Sequence, residues 1–130
     1  MKLTNQIIVN SIQGIQDFAT KELPYKVTLQ ISKNINILDK ILEDYNKEYQ
    51  KLADEYLEKD AGGGFIPSED NPNSFLIKKG KEQEYLDKFN TLLNFENDVN
   101  LYMIKSTDLE DIKISAKTLM SVHFMIEDVD

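Results

Sequence analysis

His123 is the residue best suited to proton transfer or metal binding, because it is the only histidine in a 130-residue sequence that contains no cysteine. A catalytic or metal-binding histidine needs a nucleophile that the fold brings close, or a second ligand one helical turn away. The residues at that spacing include Leu119, Met120 and Ile126, which are apolar. Glu127 is the one possible partner. We therefore predict that His123 is structural, and we assign no catalytic and no metal-ligating residue.

Two further patterns have the composition of ligand sites. Residues 62–64 are three consecutive glycines, but they lack the Lys-Ser/Thr pair of a phosphate-binding loop and follow a predicted helix rather than a strand. Carboxylates cluster at residues 108–111 and 127–130, without the alternating oxygen ligands, central glycine and terminal glutamate of a calcium loop. We interpret these clusters as solvated charge. The sequence thus predicts a protein with no cofactor and no enzyme activity.

Tyr45, Tyr49 and Tyr56 form the most informative polar pattern. Tyrosine buries a large ring, yet its hydroxyl needs a partner or water. Two interpretations stay open: the rings cover the thin end of a small domain, or they form an exposed contact strip, since tyrosine is enriched at interface hot spots. The surrounding carboxylates would suit a basic partner surface. They belong to Glu43, Asp44, Glu48, Asp54, Glu55 and Glu58.

Phe65 and Ile66 are a second candidate contact. They lie between the glycines and Pro67, so we expect apolar side chains on a flexible stem. The predicted partner-binding residues are therefore Tyr45, Tyr49, Tyr56, Glu48, Glu55, Phe65 and Ile66.

A long helix must position the tyrosines. Proline suits a first helical turn and glycine a helix end, so Pro24 and Gly62 bound a predicted helix over residues 25–58. At 1.5 Å per residue it would be about 50 Å long. Its apolar residues repeat in steps of four and three, which is the a/d pattern of a helix that packs along other helices. They are Ile31, Ile35, Leu38, Leu42, Tyr45, Tyr49, Leu52 and Tyr56.

Shorter elements complete the predicted fold, which is mostly α and of the α+β class: one long heptad-patterned helix packed with two or three shorter helices, plus a small β element of short strands. A first helix, capped by Thr4 or Asn5, contains Gly14, for which close approach of a neighbouring helix is favoured over a hinge. Ser115 would cap the last helix. We expect a single domain over residues 1–130, with helices at 5–22, 81–95 and 115–126, a loop at 59–74, and strands at 75–78, 99–105 and 112–114.

Charge and hydropathy exclude several functions. The net charge is −8, and all fifteen basic residues are lysine. Because nucleic-acid affinity depends on phosphate neutralisation and arginine is its preferred base reader, direct nucleic-acid binding is not expected. No apolar run approaches the length of a transmembrane helix, and the polar N-terminal segment argues against a signal peptide. A cytoplasmic protein that does not bind membranes is the simplest interpretation.

Several segments resemble small uncharacterised proteins encoded by phages and prophages of low-GC Gram-positive bacteria. The resemblance is carried by LPYKV at residues 23–27, ISKNI at 31–35, the long charged helix that ends near Tyr56, and residues 112–127. It implies a viral origin and the host-cell cytoplasm, with no assigned activity. Small, acidic, cysteine-free phage proteins are often non-enzymatic binders of host proteins, including defence systems, and others are virion or assembly factors.

Two functions from different classes follow. The first is a phage-type protein that acts by protein–protein binding and inhibits or redirects a host protein, with nucleic-acid mimicry by its acidic face left open. The alternative is a virion structural or assembly protein that self-associates along the long helix, so that a homo-oligomer remains possible.

Overall fold

The structure, a computed structural model, describes residues 1–71 and 74–129. It is mostly helical with small strands, an α+β fold, as the sequence predicts. The elements in chain order are β1 (Lys2–Thr4), α1 (Asn5–Ala19), α2 (Tyr25–Tyr56), α3 (Glu82–Leu93), β2 (Glu96–Asp98), β3 (Ile104–Lys105), α4 (Ala116–Val122) and β4 (Ile126–Glu127). Short 3₁₀ turns occupy Ser106–Leu109 and His123–Met125.

The chain divides into two compact units, and the single domain over residues 1–130 stays a prediction. The first unit comprises Met1–Leu42 and Glu96–Asp130, and the second unit comprises Glu43–Phe95. The continuous helix α2 contributes residues 25–42 to the first unit and residues 43–56 to the second.

The ends of the helices follow local capping chemistry. The Thr4 hydroxyl accepts a hydrogen bond from the Ile7 N–H at 3.2 Å, and the Ser115 hydroxyl accepts one from the Thr118 N–H at 3.1 Å. Each side chain satisfies a backbone donor that the first helical turn leaves free. All four predicted helices are longer than those observed. Those over residues 5–22, 25–58 and 81–95 end at residues 19, 56 and 93, where turns or extended chain take over.

Gly14 permits α1 to pack closely on α4, as its place in the apolar stripe predicts. A methyl group built on Gly14 would lie 2.4 Å from the Ser121 Cβ. Real Cβ atoms do not approach so closely, so the two helices could not keep their positions with a larger residue at this point.

We expect Gly14→Ala to lower the free energy of unfolding by about 1–3 kcal/mol, because overpacking outweighs the better helix propensity of alanine. Adding Ser121→Gly should recover most of this loss, because it removes the atom that clashes. The measurement is a double-mutant cycle from urea unfolding. If Gly14→Ala and Ser121→Gly are additive, the two residues are not in contact and the assignment is wrong.

The hydrophobic core cluster belongs to the first unit. β1 pairs with β2 in antiparallel register, with Leu3 opposite Asn97. β3 pairs with β4 in parallel, with Ile104 opposite Ile126. The core side chains are Leu3, Ile8, Phe18, Val27, Ile31, Leu38, Val99, Ile104, Leu109, Val122, Met125 and Ile126.

The predicted strand over residues 99–105 is wrong except at Ile104–Lys105. Side chains of α2 take the place of a neighbouring strand. The Asn34 side chain donates to the Tyr102 carbonyl at 3.0 Å and accepts from the Tyr102 N–H at 2.7 Å. The Gln30 amide donates to the Met103 carbonyl at 3.1 Å. The Tyr102 N–H and the carbonyls of Tyr102 and Met103 are thus satisfied without a neighbouring strand.

Of two further predictions near the C-terminus, the strand is wrong and the helix is confirmed only over Ala116–Val122. Residues 112–114 form no strand: the Ile112 N–H closes a turn on the Leu109 carbonyl at 3.1 Å. The predicted helix over residues 115–126 ends at Val122, a 3₁₀ turn follows, and Ile126 pairs with Ile104 as a strand. Since Val122 and Ile126 are both buried, their helical spacing did not reveal the change of backbone.

Candidate protein-binding surface

The second unit brings two of the predicted tyrosines onto α3. Tyr45 and Tyr49 stack with ring centroids 6.3 Å apart. Tyr49 meets Phe89 edge-on at 5.7 Å, and Phe89 stacks on Tyr85 at 5.8 Å. Such pairs stabilise helix contacts beyond the area that they bury. We call Tyr45, Tyr49, Tyr85 and Phe89 the aromatic face; all four side chains are half-buried.

Tyr56 lies in the interior of the second unit. Its exposed fraction is 2%, its ring lies 6.1 Å from that of Tyr85, and its hydroxyl donates to Glu84 Oε1 at 2.9 Å. The Lys88 ammonium lies 5.1 Å from the ring centroid. The predicted role of Tyr56 in contacting a partner is therefore replaced by a structural one.

Hydrogen bonding at Tyr56 extends to the charges of α3. The hydrogen bond from Tyr56 lowers the pKa of the Glu84 carboxyl, and the Lys81 ammonium lowers that pKa further. Glu84 also accepts from Lys81 at 3.5 Å. This carboxylate is therefore held by contacts within its own unit.

Two hydroxyl groups of the aromatic face have raised pKa values. Burial, followed by the neighbouring Tyr49, raises the pKa of Tyr85 to about 12. Burial also raises the pKa of Tyr45, again with a contribution from Tyr49. Tyr45 and Tyr85 therefore present uncharged hydroxyl groups near neutral pH.

We expect the second unit to lose stability in alkali. The pKa of Tyr85 is raised from 10.0 to about 12, so the folded unit favours the neutral hydroxyl. The stabilisation that this gives is fully present below pH 10 and is lost as pH rises toward 12. Tyr85→Phe should weaken this pH dependence, because phenylalanine cannot ionise. The measurement is the melting temperature across that window. An unchanged alkaline loss in the variant would assign the effect to other groups.

α3 is only partly covered. None of its residues is fully buried, and Leu86 is 46% exposed. In the described part of the second unit, the buried side chains are Ala53, Tyr56 and Leu57. None of the residues described in this unit belongs to the hydrophobic core cluster. The apolar side of α3 therefore exceeds the area that α2 covers.

The predicted acidic flank is partly neutralised by neighbouring lysines. Glu48 pairs with Lys51 at 3.1 Å. Asp54 pairs with Lys59 at 2.9 Å, and this contact lowers the pKa of the Asp54 carboxyl. Glu43 also pairs with a lysine, at 3.5 Å. Asp44 and Glu55 remain exposed on α2.

Phe65 and Ile66 belong to a closed arrangement of three extended segments, which we call the tip (residues 57–60, 64–68 and 74–78). Isolated bridges join Leu57 to Ile77, Lys59 to Phe65 and Pro67 to Phe75. The N–H groups of Glu58, Ile66 and Leu76 donate to the carbonyls of Leu76, Glu58 and Ile66 respectively, at 2.7–3.1 Å. Each segment therefore pairs with both others.

The pairing within the tip changes the interpretation of the predicted loop at residues 59–74 and the predicted strand at 75–78. Within the predicted loop over residues 59–74, Lys59, Phe65 and Pro67 form isolated bridges, and the other described residues form turns, bends or irregular chain; residues 72 and 73 lie outside the described residues. The predicted strand at 75–78 is present only as single bridges. Phe65 and Ile66 are half-buried, with the Phe65 ring 5.6 Å from Phe75 and 5.4 Å from the Lys59 ammonium.

The three glycines form the first turn of the tip. Asp60 Oδ1 accepts from the N–H groups of Gly62 and Gly64 at 2.9 and 3.0 Å. Gly63 has φ +85°, a conformation that glycine adopts without strain. Since a side chain of the protein already takes the amides that a phosphate would use, the glycines serve the turn.

His123 is exposed, and its Nε2 lies 3.6 Å from Asp128 Oδ2. The acidic neighbour is thus Asp128 and not Glu127. Among residues 1–71 and 74–129, no group of three or more potential metal ligands converges. The same residues include no helix with the length and hydropathy needed to cross a membrane.

Comparison of the chain with family models, with curated proteins and with solved structures finds no match.

Proposed function

We propose that this chain is a non-enzymatic, phage-type protein that acts in the host-cell cytoplasm by binding another protein. Its partner is a host protein, with defence-system proteins included in that class, and binding inhibits or redirects it. The observation that carries the proposal is the aromatic face, which stands on a unit whose described residues have no share in the hydrophobic core cluster.

The composition of the aromatic face suits this role. Tyrosine and phenylalanine supply large contact areas at a low cost in side-chain entropy, and they are common among the residues that dominate interface energies. Tyr45 and Tyr49 are already ordered by stacking on each other, so a partner would not need to order them. The exposed carboxylates of Asp44 and Glu55 favour a partner with a basic rim.

Affinity purification from a lysate of the bacterium that carries the sequence tests this proposal. We expect a specific host protein to be retained by the wild type and lost with Tyr49→Glu. Leu86→Lys is a second variant that alters the same surface at an exposed position. Tyr25→Lys, at a residue that is 81% exposed in the first unit, is the matched control. Equal retention by all four proteins would contradict the proposal.

Self-association along the long helix is the second candidate, as in a virion structural or assembly protein. It is favoured by a groove of about 270 Å³ between α1 and α2. The half-buried heptad residues Ile35 and Leu42 line this groove, with Ile12 and Ile15 opposite. Light scattering separates the two functions: an obligate oligomer that Tyr49→Glu or Leu42→Glu makes monomeric would support self-assembly.

A further inference from the structure

The apolar stripe of α3 continues past its contact with α2. Leu86, Phe89 and Leu93 follow one another at spacings of three and four residues, so they lie on one side of the helix. Phe89 contacts Tyr49 of α2. Leu86 is 46% exposed and Leu93 is half-buried. The stripe therefore begins at the aromatic face and extends onto open surface.

A two-helix layer does not enclose an apolar seam by itself. Helices that carry such stripes are stable when they are buried against a further layer of structure. In the described part of the second unit, α2 and α3 supply only two of the buried residues, Ala53 and Tyr56. Tyr45 and Tyr49 of α2, with Phe89 and the exposed Leu86 of α3, form an apolar surface that a third helix would cover, and we call it the α2–α3 surface.

The charge around the α2–α3 surface identifies the kind of helix. Residues 43–95 contain twelve aspartates and glutamates against seven lysines, a net charge of −5. Asp44 is exposed beside Tyr45 on α2, and Glu82 is exposed one turn before Leu86 on α3. Basic side chains on both edges of an apolar stripe would complement these carboxylates.

We propose that the aromatic face and Leu86 bind one amphipathic helix of the partner protein, with an aliphatic stripe and lysine or arginine on its flanks. This inference rests on the proposed function and names the element that the partner presents. Its mode is the helix-in-groove recognition in which anchors recur at three- and four-residue spacing.

The α2–α3 surface of a second copy of this chain would bind here poorly. Two faces that each carry net negative charge repel when they are brought together, and the repulsion is strongest at low salt. A basic helix shows the opposite dependence, since salt weakens its attraction. The salt response thus separates the two occupants.

The test uses designed peptides of about 18 residues, long enough to form helix on binding, each with one tryptophan as a fluorescent probe. The first has leucines at heptad spacing with lysines elsewhere. The second keeps the leucines and replaces lysine by glutamate. The third has the composition of the first in a scrambled order, without a stripe. All three are titrated with the full chain, which contains no tryptophan of its own.

We expect the leucine–lysine peptide to bind at least about tenfold more tightly than either control. Leu86→Lys should weaken this binding by about tenfold or more, because it removes an apolar contact and adds a like charge. Tyr25→Lys adds the same charge in the first unit and should change affinity by less than about twofold. Raising the salt from about 50 mM to about 500 mM should weaken binding.

Three results would overturn the inference. Equal binding of the scrambled peptide would show attraction without a helical stripe. Equal binding of the glutamate peptide would show that charge does not select the partner. If the chain dimerises, and if this dimerisation strengthens with salt and is abolished by Leu86→Lys, the occupant of the α2–α3 surface is a second copy.

The outcome for the proposed function is separate. If no designed peptide binds but a host protein is still retained by the wild type and lost with Leu86→Lys, only the helix inference fails. If the leucine–lysine peptide binds as described but retention of no host protein depends on the aromatic face, the helix inference holds and the proposed function fails.

Discussion

Asn34→Ala is expected to lower the free energy of unfolding by about 1–3 kcal/mol, because it removes the side chain that bonds two partly buried backbone groups of Tyr102. Asn34 is fully buried. Its side chain donates to the carbonyl and accepts from the N–H of Tyr102, and it also lies 3.8 Å from Met125 Sδ. One side chain thus joins α2 to the chain before β3 and to the 3₁₀ turn after α4.

Two control variants isolate this effect. Asn36→Ala makes the same chemical change at an exposed position of the same helix, and we expect it to be neutral or slightly stabilising because alanine is a better helix former. Asn34→Leu fills most of the volume but restores no hydrogen bond, so it should cost nearly as much as Asn34→Ala. Chemical denaturation measures all three. A stable Asn34→Leu protein would show that packing, and not the polar contact, matters at this site.

Tyr56→Ala is expected to destabilise the second unit by about 3–5 kcal/mol, the usual cost of deleting a buried aromatic ring. The ring is enclosed by Tyr85 and Lys88. The Tyr56 carbonyl accepts from the Lys78 N–H at 2.8 Å, so the same residue joins α2, α3 and the tip. Hydrogen exchange should show faster exchange of amides in α3 and the tip.

Tyr56→Phe separates the ring from the hydroxyl. It removes the hydrogen bond to Glu84, an exposed carboxylate, and should cost about 1 kcal/mol because water replaces part of that bond. Tyr25→Ala, at an exposed tyrosine of the same helix, should change stability by less than about 0.5 kcal/mol. Equal effects of Tyr56→Ala and Tyr25→Ala would contradict the burial of Tyr56.

The features that the sequence predicts well depend on neighbouring residues. Thr4 and Ser115 cap their helices through contacts three residues away. Gly14 marks a close helix approach because no other residue fits there. The heptad spacing predicts α2 to within two residues of its observed end. These signals can be recognised without knowing the partner element.

The features that it misses depend on residues far apart in the chain. β1 is a strand because Lys2–Thr4 meets Glu96–Asp98, and β4 is a strand because it meets β3. Nothing local distinguishes Asn34 from the exposed Asn36, since only the fold brings Tyr102 to one of them. Residues 99–103 have a strand pattern but form no strand, and side chains of α2 bond the backbone of Tyr102 and Met103 instead.

The candidate surface was predicted in part. The sequence indicates Tyr45 and Tyr49, and the structure adds Tyr85, Phe89 and Leu86 of α3. The four-residue spacing of Tyr85 and Phe89 was a usable signal for the helix side that meets α2. The burial of Tyr56 had no such signal, because its heptad position is equivalent to those of the other two tyrosines.

The central claim is that the protein binds a host protein through the aromatic face. The most direct measurement places a photo-crosslinking amino acid at exposed Leu86, in the full chain and inside the host cell, and at exposed Tyr25 as the control. We predict a crosslinked host protein of one defined mass from position 86 and none from position 25. The claim is contradicted if both positions yield the same products, or if position 86 yields only crosslinks between copies of this chain.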